Sequence, residues 1–145
     1  MNRIETAISR FAEGYNCCQA VLSAYAGQFG VEGETAMKLA SGFGGGMGRM
    51  AGTCGAVTGA FMVLGLERGQ ASPEREAKEA IYRRIREYAD RFRTRHGSLL
   101  CRELLECDIS EPGGLQRARE LELFSKVCPQ FVRDACEMLE EMSRE

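Results

Sequence analysis

Sheet-forming residues are scarce in this chain: Val, Ile and Thr together supply only sixteen of 145 residues. No segment alternates apolar and polar side chains for long, so a half-buried strand has little to be made from and the expected fold is all-α. Charge of one sign is lacking too. A net charge of -2 gives no electrostatic reason to expect nucleic acid or an anionic membrane as partner, and the basic residues between Arg75 and Arg95 are interleaved with acidic ones. The longest apolar run, Ala56 to Leu66, is too short to cross a bilayer, and the opening MNRIETAISR is unlike a signal peptide. No membrane insertion and a cytoplasmic location are therefore expected. One histidine and no CxxCH exclude haem attachment. No CxxC pair occurs either, which removes the usual zinc-finger and thioredoxin patterns.

What the chain does have is periodicity at three and four residues, in a length that suits one domain with a real core, residues 1–145. The first helix is predicted from Arg3 to Glu13, with Ile4, Ala7, Ile8 and Phe11 on one face. A second opens at Asn16, whose side chain can cap, with Gln19 three residues on as a near capping box, and ends near Gly30. A short helix over Glu34–Ala40 leads into a glycine-rich loop. A small-residue-rich central helix over Thr53–Leu66 follows the loop. Ser72 and Pro73 mark the start of a long helix that ends at His96, with Gly97 just beyond it. Shorter helices over Leu100–Glu106 and Leu115–Lys126 precede a last one, whose first turn is set by Pro129 and whose apolar stripe is Val132, Ala135, Cys136 and Leu139. The predicted architecture is a single-domain multi-helix bundle.

Seven cysteines, at 17, 18, 54, 101, 107, 128 and 136, are an odd number. In a reducing compartment that argues for metal binding or redox chemistry rather than structural bridges. Four of them, Cys17, Cys54, Cys101 and Cys128, fall at or near predicted helix starts, where free N–H groups and the positive dipole end stabilise a thiolate and lower its pKa. Cys107 and Cys136 fit ordinary packing, while Cys18 neighbours Cys17 and could substitute for it. The glycines are concentrated as well: eight of seventeen lie between Gly42 and Gly59, in GFGGGMGRMAGTCGAVTG around Cys54. Small residues recur four apart at Ala51, Gly55 and Gly59, and again at Gly52, Ala56 and Ala60. This spacing permits either tight internal packing or a self-associating helix in a homodimer. His96 reads as a C-terminal capping residue, and the group Met37, Met47, Met50 and Met62 as core filling. Arg49, beside the glycines, is an alternative phosphate contact. The GxGxxA at Gly46–Ala51 follows no strand and so is no dinucleotide loop.

The segments GYNCCQAV at Cys17, GGGMGRMAGTCGAVTGAFMVLGL at Cys54, CRELL at Cys101 and LFSKVCPQFV at Cys128 resemble the bacterial and archaeal family of redox-active proteins labelled C_GCAxxG_C_C. The central motif departs from the label, reading Cys54-Gly55-Ala56 and then Gly59. The resemblance implies that Cys17, Cys54, Cys101 and Cys128 are the family's four characteristic cysteines. A distant similarity to the cysteine-bearing part of split-Soret cytochromes implies an iron–sulfur centre of the [2Fe–2S] type held by those four as metal ligands, and electron transfer to a redox partner protein. Metal-free thiol–disulfide chemistry by the same four thiols, and a structural zinc or metal-free interaction domain, remain as alternatives; no residue pattern points to an enzyme. Gly55 and Gly59 are expected beside the cofactor, where bare backbone can approach Cys54 and the loop can offer N–H donors to sulfur.

Overall fold

The computed structural model describes residues 1–145 and is all-α, its only β contact an isolated antiparallel bridge between Thr53 and Leu100. In chain order the helices are α1 (Arg3–Ala12), α2 (Cys17–Ala26), α3 (Gly33–Ala40), α4 (Gly55–Arg68), α5 (Arg75–His96), α6 (Cys101–Leu104), α7 (Pro112–Glu120), α8 (Leu123–Lys126) and α9 (Cys128–Ser143). No helix is long and apolar enough to cross a membrane.

Local chemistry sets most of these boundaries. At α2 the predicted capping box is complete: Asn16 Oδ1 accepts from the Gln19 amide at 2.8 Å, and Gln19 Oε1 accepts from the Asn16 amide at 3.0 Å. The same two side chains reach across to α3. Asn16 Nδ2 donates to the Ala40 and Ser41 carbonyls and Gln19 Nε2 to that of Met37, so the cap of one helix is tied to the end of another. Pro129 lies in the first turn of α9, and Gly97 in the left-handed region closes α5, both as the sequence predicts.

Four boundaries differ from expectation. The long helix starts at Arg75 rather than at Pro73, because the Ser72 hydroxyl accepts from the Glu74 amide and closes a turn ahead of the helix. The predicted Leu115–Lys126 helix is two helices, α7 and α8, parted where Glu122 takes a left-handed conformation with φ 55°. Pro112 already starts α7, since proline's missing N–H costs nothing in a first turn. Thr53 is not helical; it forms the bridge to Leu100, and α4 begins two residues later.

The core lies where α2, α4, α5 and α9 meet, around Val21, Leu22, Val57, Leu64, Tyr88, Phe92, Val132 and Leu139. Two buried tyrosines fasten α9 from within: Tyr88 Oη donates to the Ala135 carbonyl at 2.8 Å, and Tyr25 Oη lies 3.0 Å from Glu140 Oε1. Each buries a ring and satisfies its hydroxyl.

The small-residue stripe of α4 faces inward. Gly55, Ala56, Gly59 and Ala60 are all buried, so they serve internal packing and are not free for a helix of a second chain. A Cβ at Gly55 would stand 3.0 Å from both the Cys18 amide nitrogen and the Phe43 carbonyl oxygen; one at Gly59 would stand 3.0 Å from the Cys18 carbonyl oxygen and 3.1 Å from Val21 Cβ. These neighbours are mostly backbone of a packed helix and cannot yield cheaply. At Gly65 on the same helix a Cβ meets nothing within 4 Å. Thermal melts should therefore show Gly55→Ala and Gly59→Ala losing about 1–3 kcal/mol through overpacking. Gly65→Ala should gain up to about 1 kcal/mol from helix propensity. Equal gains at all three positions would mean that α2 and α4 are not in close contact.

Candidate functional site

The four cysteines that the helix starts singled out line one cavity of about 870 Å³. Cys17 is the first residue of α2, Cys54 the residue before α4, Cys101 the first of α6 and Cys128 the first of α9. Three of them are buried, and Cys17 is half-buried. The remaining three cysteines do not line the cavity. Cys18 is fully buried on the opposite side of the α2 start, against α4; Cys107 directs its thiol to the Gly114 carbonyl; Cys136 sits in the α9 core. Cys18 is thus not an alternative to Cys17 at the cavity.

Backbone contacts hold Cys54 and Cys101 in register. The Cys54 amide donates to the Leu99 carbonyl at 2.8 Å and the Cys101 amide to that of Gly52 at 2.6 Å, the two bonds flanking the Thr53–Leu100 bridge. The glycine-rich loop then wraps the Cys101 side. Gly45, Gly46, Met47, Gly48, Arg49 and Ala51 all have φ between 58° and 68°. Three of these six carry side chains in a region that costs an L-residue about 1–2 kcal/mol. Amides of Ala51 and Gly52 donate back to the carbonyls of Gly45 and Gly46 and hold the coil. Bare backbone is needed where this coil meets the thiols: a Cβ on Gly46 would lie 2.8 Å from Cys101 Cβ and 2.6 Å from the Gly52 nitrogen. Gly55 lines the cavity and would bring a Cβ 3.2 Å from that of Cys17. Gly59, expected with it beside the cofactor, lies off the cavity and packs α4 on α2.

The protonation states overturn a simple dipole argument. Helix starts were expected to lower all four thiol pKa values, but burial wins at two of the four and reinforces a pair interaction at a third. Burial pushes Cys101 up to about 12, with the Cys54 and Cys128 sulfurs adding repulsion. Burial likewise raises Cys54 to about 11, although the nearby amides of Ala56 and Val57 in the first turn of α4 offset part of the shift. Cys17 and Cys128 act on each other. The hydrogen bond between them raises Cys17 well above the ordinary thiol value, helped by burial, and lowers Cys128 despite burial. Of the pair, Cys128 is therefore the first to lose its proton as pH rises. No three His, Cys, Asp or Glu side chains converge closely enough to hold a single metal ion. The four cysteines share one cavity without three of them converging on a point.

Elsewhere, His96 is the last residue of α5, but its side chain turns to α9 rather than capping the helix. Its Nε2 lies 2.8 Å from Oδ2 of Asp134, the only buried charged residue, whose Oδ1 accepts from Gln130 Nε2. The imidazole also packs on Phe92 and Phe131, with ring centroids 4.7 and 5.1 Å away. This is a tie between α5 and α9. The cavity wall beyond the thiols includes Ile8, Phe11, Leu115, Phe124, Arg49 and Arg119. Ile8 and Phe11 were assigned to an inward face and are half-buried because they border this space. Arg119 was missed, and no pattern could have paired it with Arg49 across seventy residues of sequence.

In metal-free protein, iodoacetamide should label Cys128 at lower pH than Cys54 or Cys101, as read by mass spectrometry across a pH series. Cys17→Ala removes the donor that lowers Cys128, so its labelling midpoint should move up, to or beyond the ordinary thiol value near ~8.5. An unmoved midpoint would mean that Cys17 does not control the charge on Cys128.

A family model described as "Putative redox-active protein (C_GCAxxG_C_C)" matches residues 15–142. No match was found among curated proteins or solved structures.

Proposed function

Because the chain belongs to the C_GCAxxG_C_C family of redox-active proteins, we propose that Cys17, Cys54, Cys101 and Cys128 hold an iron–sulfur centre of the [2Fe–2S] type and that the protein carries electrons to and from a redox partner protein. The observation that carries this reading is the shared cavity, which four thiols from four elements line together. Four cysteine thiolates are the ligand set that such a centre takes, and no three of the side chains converge as a tetrahedral zinc site would require. When bound, such a cluster supplies one-electron chemistry at a potential set by its surroundings.

The chain's own groups prepare the space. The amides of Ala56 and Val57 at the start of α4 lie near Cys54 and favour negative charge on its sulfur. Gly46 and Gly55 let backbone lie against Cys101 and Cys17 without a side chain intervening. With pKa values near 11 and 12, Cys54 and Cys101 are neutral thiols at pH 7 without metal, so metal binding must displace their protons. Cluster loading is accordingly expected to weaken as pH falls.

A second reading has its own support, the direct interaction of Cys17 with Cys128. A Cys128 thiolate attacking an oxidised thiol partner forms a mixed disulfide, and Cys17, on losing its proton, resolves it. The pair then carries one disulfide, and the partner has gained two electrons, one proton from Cys17 and a second from solvent.

Anaerobic purification with iron, sulfide and visible absorption assays separates the two. About two irons and two sulfides per chain, lost in Cys54→Ser and in Cys101→Ser, is the expected result. A colourless protein without iron, in which Cys17 and Cys128 alone cycle reversibly between dithiol and disulfide, would replace the cluster reading with the second one.

A further inference from the structure

The cavity is much larger than a cluster of two irons and two sulfides requires, and its charge is one-sided. At about 870 Å³ it falls in the range of small-molecule sites. Its wall includes Arg49 and Arg119 but no Asp, Glu or Lys, although the chain has 21 acidic residues and a net charge of -2. Both arginines are exposed, and neither takes part in an ion pair or a side-chain hydrogen bond, whereas Arg84, Arg91, Arg93 and Arg95 all do. Behind them, the amides of Gly45, Gly46 and Gly48, residues that also line the cavity, donate to no acceptor in the protein. Ile8, Phe11, Leu115 and Phe124 supply an apolar part of the wall.

We propose that this cavity binds a small organic anion with an apolar body, which lies against Ile8, Phe11, Leu115 and Phe124 beside the four thiols while Arg49 and Arg119 supply a positive rim for its carboxylate or phosphate head. Apolar contact provides the affinity, and the charged head selects orientation and excludes neutral or cationic molecules. A positive opening in an acidic protein also raises the local concentration of anions at the cavity. The placement puts the bound molecule next to the redox groups. The inference needs the cavity and its charge, not the cluster, so it fails or survives separately from the iron reading.

Calorimetric titration of the purified protein with decanoate, decyl phosphate, 1-decanol and acetate tests this, with iron and sulfide assayed before and after each titration. Decanoate or decyl phosphate should bind while acetate does not, and the preferred head assigns the ligand as carboxylate or phosphate. Arg49→Gln with Arg119→Gln should weaken that binding about tenfold or more and leave decanol unchanged, since the lost term is charge-assisted. Both arginines are exposed and unpaired, so the fold should tolerate the change. Leu115→Trp, which fills the wall without altering charge, should weaken decanoate and decanol alike. The proposal is overturned if neither anion binds, if decanol binds as tightly as decanoate, or if the arginine substitutions change nothing. Binding of a poly-glutamate peptide in place of both amphiphiles would assign the arginines to docking an acidic protein, and would overturn it equally.

Discussion

The site depends on how closely α4 lies against the start of α2. With a Cβ at Gly55 or Gly59 the two helices would have to separate, because the atoms in the way belong largely to the backbone of Cys18 and Phe43. That proximity places the first turn of α2 beside the first turn of α4, and so brings Cys17 and Cys54 to one cavity wall. Glycine in a helix costs about 1 kcal/mol relative to alanine. Two of them in one contact are a local loss offset by burial along the whole helix pair, including Val21 and Val57.

Much of this was legible in the sequence, for local reasons. The Asn16 and Gln19 box, the Pro129 start and the Gly97 stop are properties of a few adjacent residues, and the structure has all three. Helix starts separated the four cavity cysteines from Cys107 and Cys136, but not from Cys18, the second residue of α2, which only its burial against α4 sets apart. What one dimension could not show is environment. A helix start promises a thiol a lowered pKa, but desolvation depends on what the rest of the chain piles above it, and for Cys54 and Cys101 that term is the larger. The same limit hid the pairing of His96 with Asp134, which joins helices 38 residues apart. Glu122 breaks a helix that its periodicity would have continued, and neither a glycine nor a proline marks the place.

The left-handed loop gives physical content to the density of glycine. Its residues do not merely tolerate bare backbone: Gly46 sits in a gap between Cys101 and the returning strand of the loop itself, where no side chain fits. Met47, Arg49 and Ala51 share the same backbone region at an energetic cost. The returning hydrogen bonds from Ala51 and Gly52 hold them there. A conformation so constrained is preorganised, and whatever the cavity receives does not have to order this wall on arrival.

The short bridge between Thr53 and Leu100 has a topological consequence. It clasps the chain at the feet of a long excursion, the antiparallel arms of α4 and α5 with their connecting turn, and Cys54 and Cys101 stand at the clasp. Apart from Gly55, no residue between them lines the cavity. Loop closure entropy grows only with the logarithm of length, about 0.6 kcal/mol for each doubling. The far end of that excursion, where Tyr82 is exposed and Ile81 only half-buried, can therefore lengthen, shorten or acquire appendages over evolutionary time while the spacing of the two thiols stays the same.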